Sequence, residues 1–586
     1  MQANNLLYRC NTITIVGMYI ATIPNRTSPP AILLREGYRE GGKVKNRTLA
    51  NLSKLPPEAI DALRRVLKGH KLVSTDELFE IVEDGSRSHG HLEAVMIAMQ
   101  RLGFAGLVSS RRSRQRDLVV AMVAARILNP QSKLATTRWW SSTTLPDMLG
   151  VGNAREDDLY EAMDWLLERQ NKIEKKLAKR HLQEGGLALY DLTSSYFEGV
   201  TCPLAAFGYN RDKKRGKLQV NYGLLTNEQG VPVAVSVFEG NSGDPKTLLP
   251  QVDKMREQFG IRNFVLVGDR GMITQKQVDE LREIEGVDWL SALRPGAIRK
   301  LVEGGWIQMG LFDERNLFEL EHPDWPDERL IACRNAKLAE LRRVKREALL
   351  DATAVELDKV RRMVYRGRLQ GKDKIGVRVG RVLNKYKMAK HYALQIEADS
   401  FDFEVKQEGV DAEAALDGIY VIRTSVDKDT MDTDRAVRSY KQLSKVEQAF
   451  RCLKSVDLMV RPIRHRLEDR VRAHIFLSVL AYYVQWHMIE AWRPMLFADE
   501  DQDAKISRDP VAPAKRSKDA LKKAASKLLD DGSPAHSFRT LLSHLGDIVR
   551  NTCRCPNAGL DDIFYKTTSP NTKQLQALEL LRKITL

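Results

Sequence analysis

The sequence predicts an α/β protein whose sheet-based central region follows a helical region and is interrupted by an insertion. Three observations carry this. From residue 186, short apolar runs and helical segments follow the order β-β-β-α-β-α-β. Residues 57–180 hold helical periodicity almost throughout. The rhythm breaks over 296–415 and an apolar strand returns at Gly418. The chain has 586 residues, 43% hydrophobic and 29% charged, the balance of a globular protein. That length suits three to five domains at about 150 residues each.

The elements follow in chain order. Thr12 to Ile23 is a Thr- and Ile-rich run without a small-x-small cleavage site, so it reads as a strand and not as a signal peptide. Met18 opens the first patterned segment and is a candidate start. Ala31-Ile-Leu-Leu is a second strand, and the basic stretch Lys43–Arg47 follows. Pro57 stands at the first position of a helix. Arg111, Arg112, Arg114 and Arg116 precede the apolar helix Leu118–Leu128, which Asn129-Pro130 ends. Leu159 to Leu177 is helical again. A strand over Gly186–Asp191 is followed by strands over Leu218–Leu225 and Val231–Phe238, joined through Asn227–Gly230. Asp244-Pro245 starts a helix to about Phe259. A buried strand, Asn263–Gly268, leads to Asp269, then come a helix from Thr274 and a strand from Trp289. In the insertion, Ala336 to Arg362 is a long charged helix and Tyr392 to Val405 alternates like a strand. Residues 432–493 are helical. Residues 500–535 are polar, with the basic run Lys515–Lys523, and read as a linker before a small tail.

Lys plus Arg number 93 against 77 Asp plus Glu, a net charge of +16. The excess is spread along the chain, which favours a polyanionic partner, nucleic acid first and an anionic membrane surface second. Ile475 to Val484 is too short to cross a bilayer, which takes about 18 to 20 apolar residues, so no membrane partner is expected. The six cysteines, Cys10, Cys202, Cys333, Cys452, Cys553 and Cys555, form no C-x-x-C pair. They exclude a disulfide scaffold and a zinc-finger spacing, and place the chain in a reducing cytoplasm.

Three carboxylates carry the chemistry. Asp191 and Asp269 each end an apolar strand, where α/β sites are built. Glu447 lies on a helix with Tyr440 seven residues before it and Lys454 seven after. That spacing drifts only about 20° per repeat, so the three share one face, with Arg451 one turn beyond Glu447. Three acids from separate segments suit two divalent ions, Mg2+ above all, with Asp191 bridging and Asp269 and Glu447 each holding one. Lys454 stands about 10 Å along the helix, in reach of a DNA phosphate, and Tyr440 is placed to contact the DNA backbone. The basic loop Tyr209–Lys217, with Arg211, Lys213, Lys214, Arg215 and Lys217, follows the first strand and suits the same role.

On these residues the chain resembles the DDE transposases of bacterial insertion sequences. It is most similar to the IS-four superfamily, whose third acid lies in a Tyr-x2-Arg-x3-Glu-x6-Lys signature. Here Tyr440, Glu447 and Lys454 match it, and Leu443 replaces the Arg. The resemblance covers about 185–495 well and Tyr19–Leu55 more loosely. It implies a ribonuclease-H-like catalytic domain with a strand-containing insertion, plus an N-terminal strand and helical DNA-binding region. The implied organisation is 1–55 strand segment, 56–184 helical DNA-binding region, 185–296 and 416–495 the two parts of the catalytic domain, 297–415 the insertion, and 496–586 linker and tail. The activity implied is cleavage and 3′-hydroxyl strand transfer at terminal inverted repeats. It uses two Mg2+ ions (Mn2+ a substitute), double-stranded DNA as partner, and a homodimer when two ends are paired. A bacterial cytoplasm, at the nucleoid, is the implied setting. Two rival functions stay open: a metal-dependent nuclease of the same fold without strand transfer, and a domesticated DNA-binding protein without catalysis.

Overall fold

The computed structural model describes residues 14–26, 28–70, 79–500, 509–512, 516–555 and 563–586. Cys10, the first two residues of the Thr12–Ile23 run, and Lys515 lie outside the described residues. The chain forms two compact units, Met1–Ser86 with Arg550–Thr567, and Arg87–Val549 with Thr568–Leu586.

The first unit holds two sheets of three strands, the first antiparallel throughout. In one, Thr14–Ile23, Ala31–Glu40 and Lys43–Asn51 follow in order. Gly41 and Gly42, with φ of +59° and +81°, make the two-residue turn between the last two, a backbone that side chains strain to adopt. The basic stretch at 43–47 is thus a strand, and every residue of it is exposed. In the other sheet Glu80–Ser88 lies beside Val549–Arg554, which pairs with Ile563–Thr567. This corrects the helical expectation at 80–88. Its sequence is mostly polar, and Asp84 at φ +56° breaks the alternation that would mark a strand.

The second unit is built on an eight-stranded mixed sheet. Its strands in chain order are β1 Gly186–Tyr196, β2 Gln219–Asn227, β3 Pro232–Glu239, β4 Phe264–Val267, β5 Val287–Ala292, β6 Leu317–His322, β7 Trp325–Arg334 and β8 Ile419–Thr424. Across the sheet they run β6-β7-β8-β5-β4-β1-β2-β3. β1, β4 and β5 are parallel neighbours, and β2 and β3 are antiparallel to their neighbours on the other side. The first five strands thus reproduce the β-β-β-α-β-α-β order, and the fold is ribonuclease-H-like. β2 is buried at every position. At Gly223 a Cβ would come within 2.6 Å of the Tyr190 hydroxyl oxygen and two of its ring carbons, so only glycine leaves room for that side chain.

Two expectations change here. The insertion is not separate from its start: β6 and β7 extend the main sheet past β8, packing Leu320, Leu330 and Ala332 with Ile419 and Val421. Only the part from the helix Ala336–Tyr365 through Lys372–Tyr386 and the hairpin Tyr392–Ile396/Phe401–Val405 has a core of its own. Neither is 496–586 a linker and tail. It holds helices Lys518–Ser526, Phe538–Gly546 and Thr572–Arg582. The last two pack on the helix Gly90–Arg101, where a Cβ on Gly90 would meet the Leu545 carbonyl at 2.5 Å. The helices between 90 and 181 share one apolar core with the sheet and with this C-terminal segment. Leu545 is fully buried in that core. Leu545→Ala is therefore expected to cost about 2–5 kcal/mol in urea unfolding. A cost within error would mean that the segment adds nothing to the core.

Candidate active site

The strand pairing aligns the first two acids. β1 and β4 run parallel with Leu189 opposite Val267, so Asp191 stands level with Asp269. Asp191 does not end its strand, as the sequence suggested. β1 continues to Tyr196 because its antiparallel partner β2 holds it that far. β4 stops at Val267, and Asp269 begins the turn beyond it.

Each aspartate has one oxygen tied to the backbone. Asp191 Oδ1 accepts the Leu192 N–H at 2.7 Å. Asp269 Oδ1 accepts the N–H groups of Gly271 and Met272, both at 2.9 Å. These bonds fix the carboxylate planes and leave Oδ2 of each without a hydrogen bond among the described residues.

Glu447 arrives on the helix Leu443–Arg451, which packs on β1 through Val446 and Phe450. The Phe450 ring meets Tyr222 of β2 edge-on at 5.9 Å. Lys445 Nζ donates to the Glu228 carbonyl at 2.9 Å and ties the helix to the β2–β3 hairpin. With Val446 and Phe450 turned inward, Glu447 is exposed.

The expected single helix from Tyr440 to Lys454 is broken twice. Thr433–Lys441 ends at Gln442 before Leu443–Arg451 begins, and Cys452–Val456 is a π turn. A π turn takes more residues per rotation and moves Lys454 off the row that even spacing implied. Lys454 is buried, and its ammonium bonds Asp212 Oδ1 at 3.0 Å. Arg461 bonds the same oxygen, and Asp212 Oδ2 accepts the Tyr196 N–H at 2.9 Å. The side chain expected to meet a DNA phosphate is thus occupied within the protein.

Electrostatics bring the acids and Tyr440 into one neighbourhood. Burial pushes Asp191 up to about 7, the negative charge of Asp269 adds to it, and Glu447 adds further; the Leu192 N–H and Arg211 oppose the rise. Burial lifts the Tyr440 phenol to about 12, with Asp269, Glu447 and Asp191 all acting in that direction and Arg270 against it. Tyr440 is therefore a neutral donor at physiological pH.

This gives a signed pH effect. A carboxyl raised from its ordinary 3.8 to about 7 binds more protons folded than unfolded between those values. Stability then falls as pH rises. Without divalent ions, the contribution of Asp191 is full below about pH 4 and lost by about pH 7. Asp191→Asn is expected to flatten this part of the profile in urea titrations. An unchanged slope would contradict it.

The basic loop divides. Arg211 is half-buried, grips Asp244 Oδ2 at 2.6 Å and lies 5.6 Å from the Tyr209 ring. Lys213, Lys214, Arg215 and Lys217 are exposed. Lys213 sits at φ +57° in the turn that presents them. Arg451 is exposed beside Lys445 and Gln448. The sequence reading missed Asp212 and Asp244. An acid inside a basic run was the signal for Asp212, but its two cationic partners lie more than 240 residues away.

Among the described residues, no three acids, histidines or cysteines stand close enough to close round one ion. The donor set still fits divalent metal in pairs. It is all oxygen, as Mg2+ prefers, each aspartate keeps a free oxygen, and the mutual repulsion raising Asp191 is what a cation relieves.

Residues 199–484 match the family described as transposase DDE domain. Residues 20–78 match the IS1634 family transposase, N-terminal domain. The first span holds Asp269 and Glu447 and begins eight residues after Asp191. No curated protein sequence matches the chain. Among solved structures, the cryo-EM structure of the piggyBac transposase synaptic complex with hairpin DNA is similar at 9% identity and a TM-score of 0.34. That match covers 78% of this chain and 77% of that one.

Proposed function

Given that the chain is a DDE transposase of an insertion sequence, we propose that it hydrolyses one strand at each terminal inverted repeat and joins the freed 3′-hydroxyl to target DNA. Asp191, Asp269 and Glu447 are the catalytic and metal-holding residues. Asp191 would be shared, and Asp269 and Glu447 would each help to hold one of two divalent ions. The two ions, Mg2+ by preference, supply Lewis acidity to the attacking and leaving oxygens when bound. Burial and the charge of Asp269 favour the protonated form of Asp191, and a bound cation would favour its carboxylate. The neutral Tyr440 hydroxyl donates to a phosphate oxygen beside the acids.

The observation that supports this reading is that β1 and β4 set Asp191 level with Asp269 and that the helix bearing Glu447 packs on β1, although the acids lie 78 and 178 residues apart in the chain. Two copies of the chain pair the two ends, and the work is done on DNA of the bacterial cytoplasm. No helix among the described residues is long and apolar enough to cross a membrane.

Lys213, Lys214, Arg215, Lys217 and Arg451 are the backbone contacts. Arg211 and Lys454 position the loop instead, through Asp244 and Asp212. Replacing one exposed loop cation by Gln is expected to reduce the slope of log K against log salt by about 0.9 in end-binding titrations. An unchanged slope for all of them would remove the loop from the interface.

The function is tested by incubating the protein with a duplex of the element's end, a supercoiled target and Mg2+. Ends covalently joined to target are expected. Hydrolysed ends alone would favour the nuclease reading, and binding without metal-dependent turnover the non-catalytic one.

A further inference from the structure

The insertion carries a basic surface that the catalytic reading does not use. From Arg366 to Lys387 the chain has eight cations and one acid, Asp373. The helix Lys372–Tyr386 places Lys374, Arg378, Arg381 and Lys385 four, three and four residues apart, which sets them in one row along its length. All four are exposed. Ile375, Val379, Val382 and Leu383 turn the other way and are buried in the core of the insertion. Beside the row opens a groove of about 450 Å3. Met363 and Leu369 line it together with Lys374, Val377, Arg378 and Arg381, and Asp373 is the one acid among its residues.

A charged helix face in solvent is commonly paired, and the neighbouring helix shows this. Along Ala336–Tyr365, Arg343 bonds Glu340 and Glu347, Lys359 bonds Glu356, and Asp358 takes Arg361 and Arg362. The second helix pairs Lys372 with Glu397, off the row. Among the described residues, no acid stands within ion-pair distance of Lys374, Arg378 or Arg381, nor of Arg366 and Arg368 between the two helices. A row of exposed cations without counter-charge suits a polyanion. It spans about 16 Å at 1.5 Å per residue, over which one strand of a duplex presents about five phosphates. An anionic membrane suits it less. The apolar face that would enter lipid is already buried in the core.

We propose that this face of the insertion holds the target duplex by its backbone. Phosphate contacts carry no sequence information, so the row accepts a duplex of any sequence. The assignment to the target rests on the transposase reading. Joining brings two duplexes together, and the loop Lys213–Lys217 with Arg451 serves the element's end.

The test combines Lys374→Gln, Arg378→Gln and Arg381→Gln in one protein. In titrations of a random-sequence duplex, the slope of log K against log salt is expected to fall by about 2.7, about 0.9 for each lost contact. In the joining reaction at limiting target, the ratio of joined to hydrolysed ends is expected to fall about tenfold and to recover as target is raised. A second arm needs no variant: random duplex should shield Lys374 of the wild-type chain from an amine-reactive ester, mapped by peptide mass spectrometry. An unchanged slope with Lys374 labelled equally in both conditions overturns the proposal. A slope that falls for the end duplex alone overturns the assignment to the target. Binding to phosphatidylserine vesicles that the variant loses, with the duplex slope unchanged, gives the face to a membrane instead. A protein that joins no DNA, yet whose duplex slope falls in the variant, would sink the functional reading and leave the duplex-binding face standing.

Discussion

Asp191→Asn, Asp269→Asn and Glu447→Gln are each expected to lower metal-dependent strand cleavage and joining by at least about a thousandfold, while end binding changes little. The amides are chosen for a structural reason. Asn at 269 keeps an oxygen for the Gly271 and Met272 N–H groups, and Asn at 191 keeps one for Leu192. The turn and the strand then survive, and only the ionisable oxygen is lost. Glu447 is exposed and holds up no packing, so its amide tests chemistry alone. The three losses should not add, since the acids act as a unit. Cleavage retained within about tenfold in any one of them would remove that residue from the catalytic set.

The second large effect belongs to Asp212. Its side chain is 1% exposed and takes both Lys454 and Arg461. Asp212→Ala leaves two cations facing each other without an anion, a change expected to cost about 3–5 kcal/mol in urea unfolding. The Tyr196 N–H also loses its acceptor at the end of β1. Beyond stability, the basic loop and the turn after Glu447 lose their common anchor. Cleavage by the folded fraction should therefore fall, with end binding weakened as well. A cost below about 1 kcal/mol would mean that solvent screens the pair as at an open surface, and Lys454 would then be free to meet DNA.

The catalytic sheet was legible because its strands are short, apolar and bounded by turn chemistry. Asn227–Gly230 joins β2 to β3 with Gly230 at φ +87°, as the sequence implies. The two aspartates stood out as a pair, each within or just after an apolar strand; singly each suits a turn, and Asp269 does cap one through Gly271 and Met272. The remainder was hidden by interactions that spacing does not encode. β6 and β7 were missed because Pro326 and Asp327, the latter at φ +57°, interrupt the pattern of a strand that then buries Leu330 to Cys333. The C-terminal helices were missed because the polar stretch before them reads as a linker, and only tertiary packing on Gly90 reveals that the chain returns. Even heptad spacing predicted one face for Tyr440, Glu447 and Lys454; the break at Gln442 and the π turn at Cys452–Val456 set that prediction aside. For the same reason the ion pair that captures Lys454 could not be foreseen.

As proposed, Asp191, Asp269 and Glu447 would hold divalent metal in pairs. Iron-directed cleavage of the protein tests it without knowledge of the DNA ends. Fe2+ bound in place of Mg2+, with ascorbate and peroxide, cuts the chain beside its ligands. Cuts are expected near 191, 269 and 447, suppressed together by Mg2+ and abolished by Asp191→Asn. Cuts elsewhere, or cuts that Mg2+ leaves unchanged, would contradict it.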